Sequence, residues 1–362
     1  MYGISIFLGE GLTEQKIKYI QELREIGFRG IFTSLHIPED DASLYLERLK
    51  ALGRVAASEG MKLMVDISGA ALERAGLSTN RVNEILALGV TGLRMDYAIS
   101  NKEIAELSHQ LTVGLNASTI TAEDIAELKK YEADFSSFEA WHNYYPRPET
   151  GLDKTMFVEK NRWLSENGFE IFAFVPGNRE LRGPLFEGLP TLEEHRGLNP
   201  LAAALQLKEL AVDAVYIGDP EIDFRTIRQF EGYLSQKQLI LETEDVGSRF
   251  YEYVLGEHTN RLDAARDVIR SAAARFRQIP VIEPEIIRER TLGLVTVDNK
   301  KYGRYMGEIQ IIRKYLPKDE KVNIAAEIAA LDKSLVSQIK GGVKFKLVKK
   351  GFLTNELRKL DN

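Results

Sequence analysis

Up to about residue 237, short apolar runs rich in β-branched residues alternate with amphipathic stretches at a repeat of roughly thirty residues. Runs at 3–8, 30–35, 62–67, 91–95, 111–115, 135–138, 169–175 and 214–217 are expected as strands. Helices are expected after them at 13–26, 42–59, 81–88, from Ser100, from Thr121, and at 154–166, 201–210 and 221–233. Ile17, Ile20, Leu23 and Ile26 recur at helical spacing and stop at Gly27, the pattern of one apolar helix face ended by glycine. Ser100 with Glu103, and Thr121 with Asp124, have the spacing of capping boxes. Eight strand-then-helix units in series predict an α/β fold, a (β/α)8 TIM barrel. A doubly wound open sheet is the alternative. It normally uses fewer strands and wants a glycine-rich phosphate turn after the first, which Gly9-Glu10-Gly11 matches only in part.

From about residue 238 the rhythm changes. Candidate strands at 292–297, 308–312, 322–324 and 343–348 lie close together, separated by Asp-Asn-Lys, Pro-Lys-Asp and Gly-Gly turns. The expected division is therefore a barrel over 1–237 and a small β-rich domain over 238–362. A net charge of −6 argues against a nucleic-acid surface, because phosphate-backbone binding wants a strong basic excess. The chain has no cysteine, which removes disulfides, thiolate catalysis and cysteine metal sites. Met1 runs almost directly into an apolar strand with no basic leader, and no stretch approaches the length of a membrane span. The expected address is the cytoplasm, with no membrane partner; the oligomeric state is left open.

In such barrels the chemistry sits at the C-terminal ends of the strands. Polar residues at those positions are Glu10, His36, Glu39, Asp66, Ser68, Arg94, Asp96, Asn116, Ser118, Glu139, His142, Asn143, Asn178 and Asp219. Some have structural readings: Asp96 and Asp219 as helix caps, Ser68 and Ser118 as loop formers, His36 as a packed core histidine. The segment 139–151 is the richest, joining two carboxylates, a histidine, an asparagine, aromatics that include Tyr145, and Arg147 between two prolines. Aromatic faces stack on sugar rings while Arg, His and Asn direct hydrogen bonds; the plainer reading is a structural loop covering a strand end. Arg179, Arg182 and Arg196, with His195 beside them, suit a phosphate or carboxylate, or are ordinary surface arginines. Glycoside hydrolysis needs two carboxyl groups across a held sugar, and Glu139, Asp66, Asp96 and Asp219 supply candidates. A metal enzyme using His36, Asp66, Asp96 and His142 is the rival, without a recognisable ligand spacing to support it. No lysine stands at a strand exit for Schiff-base chemistry. A sugar-binding or regulatory protein would use the same aromatics without the acids.

Several motifs occur in order: Gly3-Ile-Ser-Ile-Phe-Leu-Gly9, Thr33-Ser-Leu-His-Ile-Pro-Glu39, Asp66-Ile-Ser68, Gly92-Leu-Arg-Met-Asp96, Leu115-Asn-Ala-Ser118, the run from His142 to Leu152, and the run from Arg182 to Glu193. With Asp298-Asn299 and Tyr302-Gly-Arg-Tyr305 near the end, the chain resembles the bacterial 6-phospho-N-acetylmuramidase family, the MupG-like proteins. The resemblance implies a (β/α)8 barrel followed by a small cyclophilin-like domain. It also implies cytoplasmic cleavage of a small phosphorylated disaccharide, 6-phospho-N-acetylmuramic acid to N-acetylglucosamine, in cell-wall recovery, with no metal or other cofactor. Gly92-Leu-Arg-Met-Asp96 is also similar to the strand-four Gly-x-Arg-x-Asp motif of amylase-like barrels, where the arginine orients the aspartate. Those barrels place their acid on strand five, where this chain has Asn116. The expected catalytic pair is Asp96 and Glu139, with Asp66 and Asp219 as substitutes. Whichever group is the acid should have its pKa raised by burial or a neighbouring carboxylate. The phosphate and lactyl carboxylate of that substrate call for cations, and Arg147, Arg182, Arg196, His36 and His142 are the candidates, with Arg304 from the second domain.

Overall fold

The computed structural model describes residues 1–9, 11–35, 44–67, 76–95, 99–277 and 280–355. His36, Glu39 and Asp96 lie outside the described residues, as do Glu10 and Ser68. The chain divides into two compact units, Met1–Asp223 and Phe224–Asn362.

In the first unit eight parallel strands close into a barrel, β1 pairing with β8. They are β1 (Tyr2–Ser5), β2 (Gly30–Ser34), β3 (Lys62–Ile67), β4 (Gly92–Met95), β5 (Thr112–Asn116), β6 (Phe138–Trp141), β7 (Glu170–Val175) and β8 (Ala214–Ile217). The described helices of this unit are α1 (Glu14–Ile26), α2 (Tyr45–Ser58), α3 (Val82–Ala87), α4 (Asn101–Ser108), α5 (Ala122–Lys130), α6 (Lys154–Glu166) and α7 (Pro200–Glu209). Their ends obey the sequence signals. Gly27 closes α1 at φ 117° with its N–H on Arg24 and Leu23, a conformation glycine adopts without steric cost. Thr121 and Asp124 form the full capping box of α5, and Ser100 caps α4 by accepting from the Glu103 N–H.

Alternation decides the two faces of each strand. Ile31, Leu63, Val65, Leu93, Val113, Ala140, Ile171, Ala173 and Val215 are buried on one parity, which is the side the helices cover in this architecture. On the other parity Phe32, Met64, Trp141, Phe172, Phe174, Ala214 and Tyr216 form one cluster that fills the barrel. Trp141 is its hub: its ring centroid lies 4.5 Å from Phe172, 4.7 Å from Tyr216 and 5.5 Å from Phe32. Removing such an indole costs about 3–5 kcal/mol.

The sixth strand departs from expectation. Residues Phe135–Ser137 form a 3-10 turn and the strand itself is Phe138–Trp141, so it lies further along the chain than the apolar run suggested. The ring of Phe135 packs edge-on against Phe138 and close to Phe169, so that residue is apolar for packing at the strand entrance.

The second unit opens with α8 (Phe224–Gln236) and contains a seven-stranded mixed sheet. Its strands are β9 (Gln238–Asp245), β10 (Gly256–Thr259), β11 (Val268–Arg270), β12 (Leu294–Asp298), β13 (Ile309–Ile312), β14 (Val322–Ile328) and β15 (Lys344–Lys349), ordered β10-β15-β9-β14-β12-β13-β11. Two short helices, α9 (Tyr251–Val254) and α10 (Phe352–Asn355), complete it. Arg225 on α8 is buried and pairs with Glu242 at 2.9 Å and Asp332 at 2.5 Å, fixing the helix to β9. Among the described residues no helix is long and apolar enough to cross a membrane.

The barrel filling leaves no room for side chains on its small-residue strands. A Cβ on Gly30 would stand 2.0 Å from the Tyr216 hydroxyl, and one on Gly3 would stand 2.2 Å from its ring Cε1. Gly30→Ala and Gly3→Ala should each cost about 1–3 kcal/mol in urea unfolding. Adding Tyr216→Phe should recover part of the Gly30→Ala loss and none of the Gly3→Ala loss, where the ring itself is met; equal recovery at both would show that the Tyr216 hydroxyl is not the specific obstacle at Gly30.

Candidate active site

The mouth is built from the residues that close the strands. Ser34 ends β2, Asp66 and Arg94 stand opposite each other near the ends of β3 and β4, and Asn143 follows β6. Arg94 donates from Nη1 to Asp66 Oδ1 at 2.6 Å and from Nη2 to Asn143 Oδ1. Ser34 Oγ donates to the other oxygen of Asp66 at 2.9 Å. Asp66 and Arg94 are both buried. A charge-assisted bond in a poorly solvated place is short and directional, so the carboxylate is held in one orientation and still has lone pairs to offer.

Beside this network Tyr144 stacks edge-on over Phe32 and Phe174, at centroid distances of 6.3 and 5.2 Å. It is near enough to Asp66 and Arg94 for their charges to act on its phenol, whose pKa burial raises. Its hydroxyl accepts from Arg182 Nη1 at 2.8 Å. The Arg182 guanidinium also lies 4.6 Å from the Phe7 ring centroid and 5.7 Å from that of Tyr144. It forms no ion pair with a carboxylate among the described residues, so its charge is held by rings and a phenol without being neutralised.

Asp219 explains how Arg182 gets there. Its carboxylate is fully buried and accepts from the backbone N–H of Gly177 at 2.8 Å, Leu189 at 2.9 Å and Arg182 at 3.1 Å. Burial raises its pKa, against the pull of those three donors. The bonds tie the exit of β8 to the long loop after β7, so Asp219 positions the loop rather than facing a ligand.

Glu139 is not at the mouth. It is the second residue of β6 and pairs with Glu170, the first residue of β7. The ladder from Ser34 through Asp66, Arg94 and Gly114 reaches Glu139 and Glu170, and strand tilt carries it from strand ends to strand beginnings. Glu139 accepts from Trp141 Nε1 at 2.9 Å and lies 3.9 Å from Lys62, which opens β3. Its pKa is raised by burial, which in this position reflects the floor of the barrel.

His142 is also displaced from the expected role. It directly follows the inward-facing Trp141 and therefore points outward, against Phe157 of α6 at 4.5 Å. Its Nε2–H donates to Asn161 Oδ1 at 2.7 Å, and Asn161 in turn donates to the Leu210 carbonyl. Arg196 is spent within the loops: it forms a fork with Glu193 and donates to the carbonyls of Glu187, Gly188 and Tyr145. Glu193, which also accepts from Glu149 and Gly151 N–H, is brought down to about 2, chiefly by its bond to Arg196.

The remaining candidates are spread out. Asn116 ends β5 and its Oδ1 accepts from the Ser118 N–H, while its side chain lines a cavity of about 140 Å3 with Asn101, Thr119 and Asp124. Asn178 is exposed and accepts from the Asp223 N–H. Arg147 is exposed and Tyr145 half-buried on the loop after β6. Arg304 belongs to the second unit. Among the described residues no group of three or more His, Asp or Glu is arranged to hold a metal ion. Ser34 and Phe7 were not anticipated, and Tyr144 only as one of the aromatics of the segment 139–151. Strand parity marks Ser34, two residues after the inward Phe32, whereas Phe7 and Tyr144 lie past strand ends where parity lapses.

A closed (β/α)8 barrel with a carboxylate, guanidiniums and aromatic rings at its strand ends defines a barrel protein with a polar ligand mouth. The family model described as 6-phospho-N-acetylmuramidase, N-terminal, matches residues 2–232, and its C-terminal counterpart matches residues 238–348. The chain belongs to the 6-phospho-N-acetylmuramidase family, whose name implies a glycosidase acting on a phosphorylated sugar. No curated protein matches the chain. Among solved structures it is similar to a conserved protein of unknown function from Enterococcus faecalis, at 55% identity over 100% of both chains with a TM-score of 0.93. It is also similar to an uncharacterized B. cereus protein, at 25% identity over 96% of this chain and 99% of that one, with a TM-score of 0.73.

Burial of His142 has a measurable consequence. Its pKa is lowered from 6.5 to about 4, chiefly by loss of hydration. Between those values the unfolded chain takes up a proton that the folded chain refuses, so the contribution is complete above pH 6.5 and lost as pH falls toward 4. His142→Gln should flatten the fall in urea-unfolding stability by on the order of 1 kcal/mol per pH unit within that window. Identical slopes for the two proteins would refute the assignment.

Proposed function

We propose that the barrel cleaves the glycosidic bond of a 6-phosphorylated N-acetylmuramyl–N-acetylglucosamine disaccharide, with Asp66 as one of its two working carboxylates. The observation that carries this reading is the Asp66–Arg94–Asn143 network beside the Arg182–Tyr144–Phe7 cluster. The network supplies a fixed negative charge, and the cluster supplies a fixed positive one on an aromatic platform. Family membership directs both toward a phosphosugar.

The chemistry needs one carboxyl group to protonate the leaving oxygen and a second, as nucleophile or base, on the other side of the sugar. Asp66, paired with a guanidinium, suits the carboxylate that faces the developing oxocarbenium ion or accepts a proton from water. Asp96, next in sequence after the last residue of β4, is our candidate for its partner and thus for the proton donor. Arg94 orients Asp66. Arg182 takes the phosphate or the lactyl carboxylate, because a planar guanidinium matches an oxyanion in two bonds, and Tyr144 and Phe7 supply faces for the sugar ring. The same reading places the protein in the cytoplasm, recovering cell-wall fragments.

The test is turnover of the phosphorylated disaccharide beside its unphosphorylated form. Asp66→Asn and Asp96→Asn should each lower kcat by about a thousandfold or more, the scale expected when half of a carboxyl pair is lost. Arg182→Ala should raise KM for the phosphorylated form; an unchanged KM for the unphosphorylated form assigns the guanidinium to the phosphate, and an equal rise assigns it to the lactyl carboxylate. Glu139→Gln should keep turnover within about tenfold while lowering Tm. Full activity in Asp66→Asn, or loss of activity in a folded Glu139→Gln, would overturn the assignment.

A further inference from the structure

The tip of the loop after β7 has a composition that anchoring alone does not explain. Residues 182–189 form a closed excursion: the N–H groups of Arg182 and Leu189, at its two ends, both donate to the Asp219 carboxylate, at 3.1 and 2.9 Å. Arg196 grips the returning limb through the carbonyls of Glu187 and Gly188, at 3.0 Å each. A loop whose ends meet in this way is a compact surface unit. Its first residue is Arg182, whose guanidinium reaches the Phe7 ring and the Tyr144 hydroxyl at the barrel mouth.

The tip is apolar. Leu185 is 45% exposed and Phe186 63%, whereas loop tips ordinarily carry Gly, Asn, Asp, Pro or Ser. Phe186 also stands at φ 55°, in the left-handed region that glycine takes freely and a bulky side chain takes at a cost. Its N–H donates to the Arg182 carbonyl at 3.2 Å, so it follows Arg182 by one tight turn. A Cβ on Gly183 would stand 3.1 Å from Phe186 Cζ, so the ring leans on the Gly183 backbone while most of it faces solvent.

Folding does not account for this choice. A ring so exposed gains little from burial, and its left-handed backbone takes stability away, so a glycine or asparagine would serve the turn better. A strained and exposed side chain held beside a ligand mouth points to use by the ligand. Two side chains on one loop are too small a patch for a stable protein partner, whereas one phenyl face matches the C–H face of one sugar ring. Phe7 and Tyr144 already serve the phosphorylated sugar next to Arg182, and Phe186 stands on the solvent side of the same loop. We propose that Phe186 is the platform for the leaving sugar, stacking on the N-acetylglucosamine ring across the scissile bond from the phosphorylated unit. The inference rests on the reading of the barrel as a glycosidase and adds to it where the second sugar binds.

The test is steady-state cleavage of the phosphorylated disaccharide by the full chain, with each product added in turn as an inhibitor. Phe186→Ala should raise KM by about tenfold, the scale of one stacked ring, with a smaller effect on kcat, and Phe186→Trp should stay close to the wild type. The inhibition constant of N-acetylglucosamine should rise by a similar factor in Phe186→Ala, while that of 6-phospho-N-acetylmuramic acid holds. Phe186→Gly should share the KM defect yet match or exceed the wild-type Tm, because glycine relieves the left-handed strain; this separates loss of a platform from loss of the fold. Cleavage with an unchanged KM in Phe186→Ala, a rise in the constant of the phosphorylated product as large as that of the plain one, or a lowered Tm in Phe186→Gly would each overturn this inference alone. Absence of cleavage by the wild type would overturn the barrel reading and this inference with it.

Discussion

The aromatic filling of the barrel, centred on Trp141, is the constraint on which the rest of the first unit depends. A parallel barrel of eight strands has an interior just wide enough for side chains, and here a few large rings occupy it in place of layers of aliphatic residues. That choice forces glycine on the neighbouring strands: Tyr216 covers Gly3 and Gly30, and a Cβ on Gly114 would stand 2.9 Å from the indole. It also separates two polar regions. Above the rings stand Asp66, Arg94 and Asn143, and toward the strand beginnings stand Glu139, Glu170 and Lys62. The two sets of charges share one strand-to-strand ladder without sharing a site.

The mouth is completed by loops, and two carboxylates, buried Asp219 and half-buried Glu193, hold those loops. Asp219 gathers three backbone N–H groups from the loop after β7, and Glu193 gathers two from the loop after β6 while gripping Arg196. An unsatisfied buried N–H costs about 1–3 kcal/mol, so each carboxylate fixes more backbone than its size suggests. Acidic residues at strand ends therefore divide between a group that can meet a ligand, Asp66, and groups whose oxygens are already committed to the chain.

Much of the barrel was legible because its signal is periodic. Strands β3 and β8 have the limits read from sequence, and the eight-unit repeat favoured the closed parallel barrel over the open-sheet alternative. The failures share a local cause. Phe135 to Phe138 is as apolar as a strand, but its first three residues pack as a turn at the strand entrance. That displacement moved Glu139 from the barrel floor to the mouth and turned the outward His142 into a loop residue. Strands β9, β10 and β11 were missed because they are charged or very short: Gln238–Asp245 carries three acidic residues, and Val268–Arg270 spans only three positions. Their pairing comes from partners distant in sequence, such as Lys344–Lys349 against β9. Arg196 looked like an anion binder because its donors are invisible in sequence until carbonyls from distant loops converge on them.

The arginines show how an acidic protein keeps positive charge available where it is wanted. Most buried or half-buried guanidiniums here meet carboxylates: Arg94 with Asp66, Arg196 with Glu193, Arg225 with Glu242 and Asp332, and Arg270 with Glu308. Such pairs orient side chains but leave little field for a ligand. Arg182 and Arg304 are held differently, by phenol oxygens and ring faces. A ring quadrupole steadies a guanidinium for about 0.5–2 kcal/mol and leaves its formal charge intact. An incoming oxyanion at either place then gains an ion pair without first displacing a carboxylate. Against a chain charge of −6, that local arrangement rather than overall composition keeps guanidinium charge without a carboxylate partner among the described residues.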